Sequence, residues 1–167
     1  MRPPKRFLIL IAVLMTASLT ACEKNAPAAN FGLGSSAGNF PPGSQQEFNG
    51  KIGDTVRFET DSPELTAEGR SILNAQAVWL RQYSNYPVTI EGHADERGTR
   101  EYNIALGARR AETTKNFLIA QGISPQRIRT VSFGKERPVA VCDDISCWSQ
   151  NRRTVTVLGG GGAVASY

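Results

Sequence analysis

The chain has 167 residues and a formal net charge of +4, from 19 Lys and Arg against 15 Asp and Glu. After an export signal and a linker, that length leaves room for one domain of ordinary size. Three basic residues, Arg2, Lys5 and Arg6, crowd the N-terminus; without them 16 basic residues face 15 acidic ones, and a charge near balance argues against nucleic-acid binding, which requires a concentrated basic face.

Residues 1–21 read as a secretory signal. Arg2, Lys5 and Arg6 form the positive region and Phe7 to Met15 the apolar core, which is shorter than the ~20 apolar residues of a membrane-spanning helix. The segment ends in Leu19-Thr20-Ala21-Cys22, which resembles a bacterial lipobox. The resemblance implies that Cys22 is lipidated and becomes the first mature residue. Acyl chains bury ~0.8 kcal/mol per methylene, so several on one cysteine hold a protein stably in a membrane. Glu23 follows where an Asp would favour retention in the inner membrane, so the outer membrane is the expected address, with the domain facing the periplasm.

Residues 22–50 are rich in Ala, Gly, Asn, Ser and Pro, a composition that buries too little apolar area to offset its ordering entropy. The expectation is a flexible tether of about 28 residues with a reach of roughly 30 Å. The folded domain is expected over 51–158 and a flexible tail over 159–167. Thr55 to Glu59 alternates as a strand, and Asp61-Ser62-Pro63 turns the chain. Thr66 can cap a helix to about Tyr83, with Ile72, Leu73, Ala77, Leu80 and Tyr83 on its apolar side. Pro87 to Glu91 reads as a second strand. A second helix from about Arg100 to Gln121 stops at Gly122. It carries one stripe of Tyr102, Leu106, Thr113 and Phe117 and another of Ile104, Ala111 and Leu118, so it is expected to be sandwiched. Arg127 to Phe133 and Arg152 to Leu158 complete the strands. The order βαβαββ predicts an α/β sandwich with helices packed on a mixed sheet.

Cys142 and Cys147 lie five positions apart in an exported chain and are expected to form a disulfide. The spacing is not that of a redox pair. His93 is the only histidine and is distant in sequence, so neither a metal site nor a cofactor is expected.

The stretch Gly92-His93-Ala94-Asp95, with Tyr102-Asn103-x-x-Leu106 and Arg110-Ala111 in the next helix, sets a carboxylate at a strand end and a guanidinium on a helix. The two can flank one pocket and suit a zwitterion, the carboxylate taking an ammonium and the arginine a carboxylate in a two-pronged bond. Read alone, Arg110 at the edge of an apolar stripe either snorkels to water or is paired. Together with Gly122-Ile123, Arg127-Ile128 and Asn151-Arg152-Arg153, these motifs resemble OmpA-like peptidoglycan-binding domains, most closely the peptidoglycan-associated lipoproteins of the Tol system. The similarity runs from Phe58 to Leu158. It implies that the ligand is diaminopimelate of the peptidoglycan stem peptide, with Arg110 gripping its carboxylate and Asp95 neutralising its amine. Asp61 matches a third acidic position lining the pocket, and Thr60 beside it can offer a backbone N–H. The resemblance also implies a tether between outer membrane and cell wall, and a periplasmic β-propeller protein of the Tol system as partner during division.

Other roles stay open at this level. Tyr102 and Asn103 either line the pocket or organise its loop. Asn151-Arg152-Arg153 either caps the binding face or forms a solvated basic patch. His93 is expected to pack and hydrogen-bond rather than act as a base. The chain departs from the family pattern at Ala94, where Thr is usual, and at Gly107-Ala108, where Ser-x is usual. Two other functions compete with the tether. One is a periplasmic cell-wall hydrolase using Asp95 with Glu91 or Glu101, which would require one carboxyl to be protonated near neutral pH. The other is a pure protein-interaction module. The polar loop around Asp95 and the absence of a nucleophile–base set weigh against the first, and the presence of both Asp95 and Arg110 against the second.

Overall fold

The computed structural model describes residues 40–159. The expected signal, Cys22, most of the expected tether and nearly all of the tail lie outside the described residues. Strands β1 (Thr55–Arg57), β2 (Val88–His93), β3 (Ile128–Gly134) and β4 (Arg153–Leu158) form one sheet in the order β1-β4-β2-β3. β4 runs antiparallel to both β1 and β2, while β3 lies parallel to β2. The sheet is therefore mixed, as the alternation of elements predicts. Helix α2 (Ala67–Gln82) and helix α3 (Arg100–Ala120) pack on it; α3 is the crossover that parallel β2 and β3 require.

Local chemistry sets the helix ends. The Thr66 hydroxyl accepts from Gly69 N at 3.0 Å, and the Thr99 hydroxyl accepts from Tyr102 N at 3.2 Å, so both helices carry an N-cap. At the end of α3, Gly122 turns at φ +92°. Gly122 N then donates to Ile119 O at 2.9 Å and Ile123 N to Leu118 O at 3.1 Å, the paired bonds of a Schellman end. Leu73, Ala77 and Leu80 of α2 and Ala111 and Leu118 of α3 meet Val56, Val88 and Ile90 of the sheet in one core.

Three features differ from the sequence expectation. Order begins before residue 51. A short helix, α1 (Gln45–Glu47), runs into a π-helical turn at Phe48–Ile52. Phe48 is fully buried, its ring 4.9 Å from that of Trp79, and Trp79 Nε1 donates to Glu47 Oε2 at 3.0 Å. A single aromatic in a polar, Gly-rich stretch gives no periodic signal, yet it buries a large apolar area.

The last two strands are joined by a helix, α4 (Ile145–Asn151), so the order becomes βαβαβαβ. Its seven residues lack an apolar stripe; the Asp144 carboxylate caps it by accepting from Ser146 N at 2.7 Å. The Cys142–Cys147 disulfide, with Cα atoms 5.7 Å apart, ties its first turn to the preceding loop. Closing so short a loop constrains the unfolded chain by about 2 kcal/mol.

The third difference is in α3. Its buried face is Asn103, Leu106, Gly107, Arg110, Ala111, Thr114 and Leu118, while Tyr102 is half exposed. This is one stripe at helical spacing, but three of its members are polar, so counting apolar residues misplaced it.

Candidate functional site

Two glycines bring the functional elements together. A Cβ on Gly92 of β2 would lie 1.9 Å from Gly107 O of α3, and a Cβ on Gly107 would lie 2.9 Å from Gly92 O. Strand and helix backbones therefore touch, and Arg110 sits one turn beyond the contact. Just past Gly92, a bulge shifts the β2–β3 register between Gly92 and His93, and Ala94 N donates to Gly134 O at 2.8 Å. Such a bulge re-aims the residues just after it, and here it delivers Asp95.

Arg110 is fully buried. Its Nε donates to Ser62 O at 2.9 Å, Nη1 to His93 O at 2.9 Å and Nη2 to Glu59 O at 3.0 Å. The guanidinium carbon lies 5.3 Å from the Phe58 ring. Of its five N–H groups, three are thus used on backbone carbonyls, leaving one on each terminal nitrogen. Burial pushes its pKa down to about 10, with the Asp95 charge opposing, so it stays cationic at neutral pH. Its acceptors bracket the site: Glu59 and Ser62 flank Thr60 and Asp61, and His93 lies two residues before Asp95. Asp61 adopts φ +54° in this turn, a left-handed conformation that Asp tolerates better than most residues.

Asp95 is buried and faces two arginines, Arg97 at 2.6 Å and Arg152 at 3.4 Å. Burial pushes its carboxyl up, but the hydrogen bonds and charge of Arg97, with the Arg152 bond, outweigh that and hold it below the usual carboxylate value. Thr60, Asp61, Asp95, Arg97, Gly98, Tyr102, Asn103 and Leu106 line a cleft of about 250 Å³. The cleft thus gathers five of the six expected binding residues. Arg110 does not line it and lies behind the wall. A larger, mostly apolar cleft of about 320 Å³ lies beyond the Ala94–Glu96 loop, lined by Val141, Lys135 and Asn151 among others. Its charged lining residues are Glu96, Lys135 and Asp143, and none of the expected binding residues lines it.

Tyr102 and Asn103 both line the cleft and organise it. The Tyr102 hydroxyl donates to the Asp61 carboxylate, and Asn103 Nδ2 donates to Arg97 O at 2.7 Å, holding the loop.

The sequence profile of the OmpA family matches residues 57–152, more than half of the chain. A peptidoglycan-associated lipoprotein of Rhizobium meliloti is 57% identical over 157 residues, covering 93% of this chain and 89% of the relative. The chain belongs to the OmpA family, among the peptidoglycan-associated lipoproteins. The Pseudomonas aeruginosa lipoprotein of that name is 44% identical over 124 residues, 74% of this chain and 73% of the relative. The crystal structure of the Burkholderia pseudomallei lipoprotein superposes with a TM-score of 0.65 at 34% identity, covering 68% of this chain and 98% of that one. The C-terminal domain of Helicobacter pylori MotB, at 20% identity and a TM-score of 0.60 over 64% of this chain and 84% of that one, shares the fold alone.

Two readings of this OmpA-family domain are corrected by its structure. Asn151-Arg152-Arg153 is neither a solvated patch nor a cap on an open face, because all three residues are buried. The Asn151 side chain closes the preceding loop by accepting from Val139 N at 2.9 Å and donating to Ala140 O at 2.8 Å. Arg153 donates to Arg137 O at 3.2 Å. Arg152 donates to Phe58 O at 3.1 Å as well as to Asp95, and so belongs to the site. Arg97 is the other residue that sequence reasoning missed. Its position two after Asp95, within reach of the carboxylate, was the available signal.

His93 packs, but it does not hydrogen-bond. It lies 5.6 Å from the Phe133 ring, and neither ring nitrogen finds a partner among the described residues. Glu91 Oε2, at 3.7 Å, would favour the charged form. Burial, then the charges of Arg153 and Arg137, prevail and push the pKa down from 6.5 to about 4. Between those values the unfolded chain takes up the proton first, so stability is full above pH 6.5 and falls as pH drops toward 4. The expected loss is about 3 kcal/mol. Because the chain has one histidine, urea unfolding from pH 7.5 to 5, compared between the wild type and a His93 variant, separates this group from the carboxylates; about 2 kcal/mol of the loss falls in that window. A His93→Leu variant should lose the slope; a flat wild-type curve would refute the buried neutral imidazole.

Proposed function

We propose that the domain binds peptidoglycan non-covalently by gripping diaminopimelate of the stem peptide. The observation that carries this reading is the cleft itself: Asp95, held ionised, on its wall, and the Arg110 guanidinium behind the Thr60–Asp61 turn. Asp95 takes the ligand's ammonium, and the two remaining Arg110 N–H groups take its carboxylate once the Thr60–Asp61 turn moves aside to open the buried guanidinium to the cleft, with Asp61 and Tyr102 at the rim. The family membership supports peptidoglycan as the class of ligand. The lipid on Cys22 holds the chain in the outer membrane, so that wall binding tethers the two layers. A periplasmic β-propeller protein of the Tol system is the second partner, engaged during division.

A tether fits the electrostatics better than a hydrolase does. An acid catalyst needs a carboxyl raised toward neutral pH, and Asp95 is held low by its arginines. We therefore assign the domain no catalytic role.

Asp95→Asn keeps the shape and removes the charge. It should weaken sedimentation with diaminopimelate-type peptidoglycan by about 30-fold to several thousand-fold, the equivalent of ~2–5 kcal/mol for an uncompensated charge. Thermal melting confirms that the variant is folded. Wild-type sedimentation by a folded Asp95→Asn protein would sink the assignment, as would equal wild-type binding to a wall built with lysine instead of diaminopimelate.

A further inference from the structure

The fold fills its own anionic site. Arg97 Nη2 lies 2.6 Å from Asp95 Oδ2, and the Arg97 backbone N–H meets Oδ1 at 3.3 Å. Arg152 reaches the same Oδ2 from the interior at 3.4 Å. The two arginines differ in freedom. The Arg152 side chain is 7% exposed and is also pinned to Phe58 O, whereas that of Arg97 is 41% exposed. Among the described residues the Arg97 guanidinium hydrogen-bonds only to Asp95. It lies 4.4 Å from the Trp148 ring centroid, and Trp148 is held by its Nε1 bond to the Glu96 carboxylate. Arg97 is also part of the cleft lining.

We propose that Arg97 is a displaceable stand-in for the ligand's ammonium and thereby sets the affinity threshold that a ligand must exceed to occupy the cleft. The inference rests on the reading that Asp95 receives the ammonium of diaminopimelate. For an ammonium to reach Asp95, Arg97 has to yield. The face of Trp148, which Arg97 already touches, and the carboxylate of Glu96 beside it hold the cation when it leaves Asp95, since an aromatic face attracts a guanidinium. A simple amine then only exchanges one cation for another at Asp95 and gains little. A ligand whose neighbouring carboxylate also engages Arg110 gains a second interaction and can displace Arg97. The internal pair thus lowers affinity for every ligand alike, so a ligand carrying the ammonium alone falls below measurable binding while one carrying both charges stays above it.

Calorimetry on the full chain tests this with two soluble probes, a muramoyl tripeptide ending in meso-diaminopimelate and its counterpart ending in lysine. Arg97→Gln should bind the diaminopimelate peptide up to about 5-fold tighter, the range set by removing one partly exposed competing ion pair. It should also acquire measurable binding of the lysine peptide. Arg97→Lys keeps a competing cation and should behave as the wild type, a rescue that a merely structural role for Arg97 would not give. Melting curves check that each variant is folded. Unchanged or weaker binding of the diaminopimelate peptide by Arg97→Gln would overturn the stand-in. Failure of the wild type to bind that peptide at all would instead overturn the site reading beneath it.

Discussion

Replacing Gly92 by alanine should lower the melting temperature of the domain by about 10–20 °C, the equivalent of roughly 3–5 kcal/mol for a domain of this size. The new Cβ would lie 1.9 Å from Gly107 O and 2.6 Å from Gly107 C. Both are backbone atoms and cannot rotate aside. β2 cannot retreat either, because it is hydrogen-bonded to β4 on one edge and β3 on the other. Helix α3 must therefore lift, and lifting it withdraws Ala111 from the core and Arg110 from His93 O. Against a total stability of about 5–15 kcal/mol, such a loss is large. Gly107→Ala is the informative partner. Its Cβ meets Ser132 Oγ at 2.4 Å, a hydroxyl that can turn away, and Gly92 O at 2.9 Å. Its effect should be smaller. Wild-type melting of Gly92→Ala would show that the two backbones are not held in contact.

Arg110→Ala should cost about 3–5 kcal/mol of stability as well as peptidoglycan binding. Its guanidinium satisfies three carbonyls from two separated segments, Glu59 and Ser62 after β1 and His93 at the end of β2. Removing it takes the guanidinium donor from all three, leaving Glu59 O only its 3.3 Å bond from Ser62 N, and opens a cavity where a large side chain was fully buried. Loss of binding by the alanine variant therefore does not isolate the ligand contact. Arg110→Lys separates the roles. A lysine ammonium stays charged and restores part of the carbonyl bonding, but it lacks the planar fork that grips a carboxylate with two parallel bonds. The expected result is partial recovery of the melting temperature with little recovery of sedimentation with peptidoglycan. An Arg110→Ala protein that melts like the wild type would rule out the clasp. Full binding by Arg110→Lys would rule out the two-pronged grip.

The carbonyl clasp of Arg110 explains why reading the residue alone left snorkelling and pairing both open. It does neither in the simple sense. It is inside, and its partners in the fold are backbone carbonyls 17, 48 and 51 positions away. No local pattern encodes such partners, because they are set by where β1 and β2 end in space.

The alternation of strands and helices, the caps at Thr66 and Gly122, the cysteine pair and the family motif around Asp95 were all legible in the residues alone. Each is written in nearest neighbours or in a short period, where backbone sterics and side-chain reach act over a few residues. Four other features emerged only once the chain was folded: which face of α3 is buried, the docking of Phe48 on Trp79, the helix α4 before the last strand, and the grip of both Arg97 and Arg152 on Asp95. These depend on polar or isolated groups whose burial is tolerated only because distant segments supply their partners. Periodicity registers apolar repetition and is blind to a buried Asn103, Arg110 or Thr114 until the groups that satisfy them have been brought together.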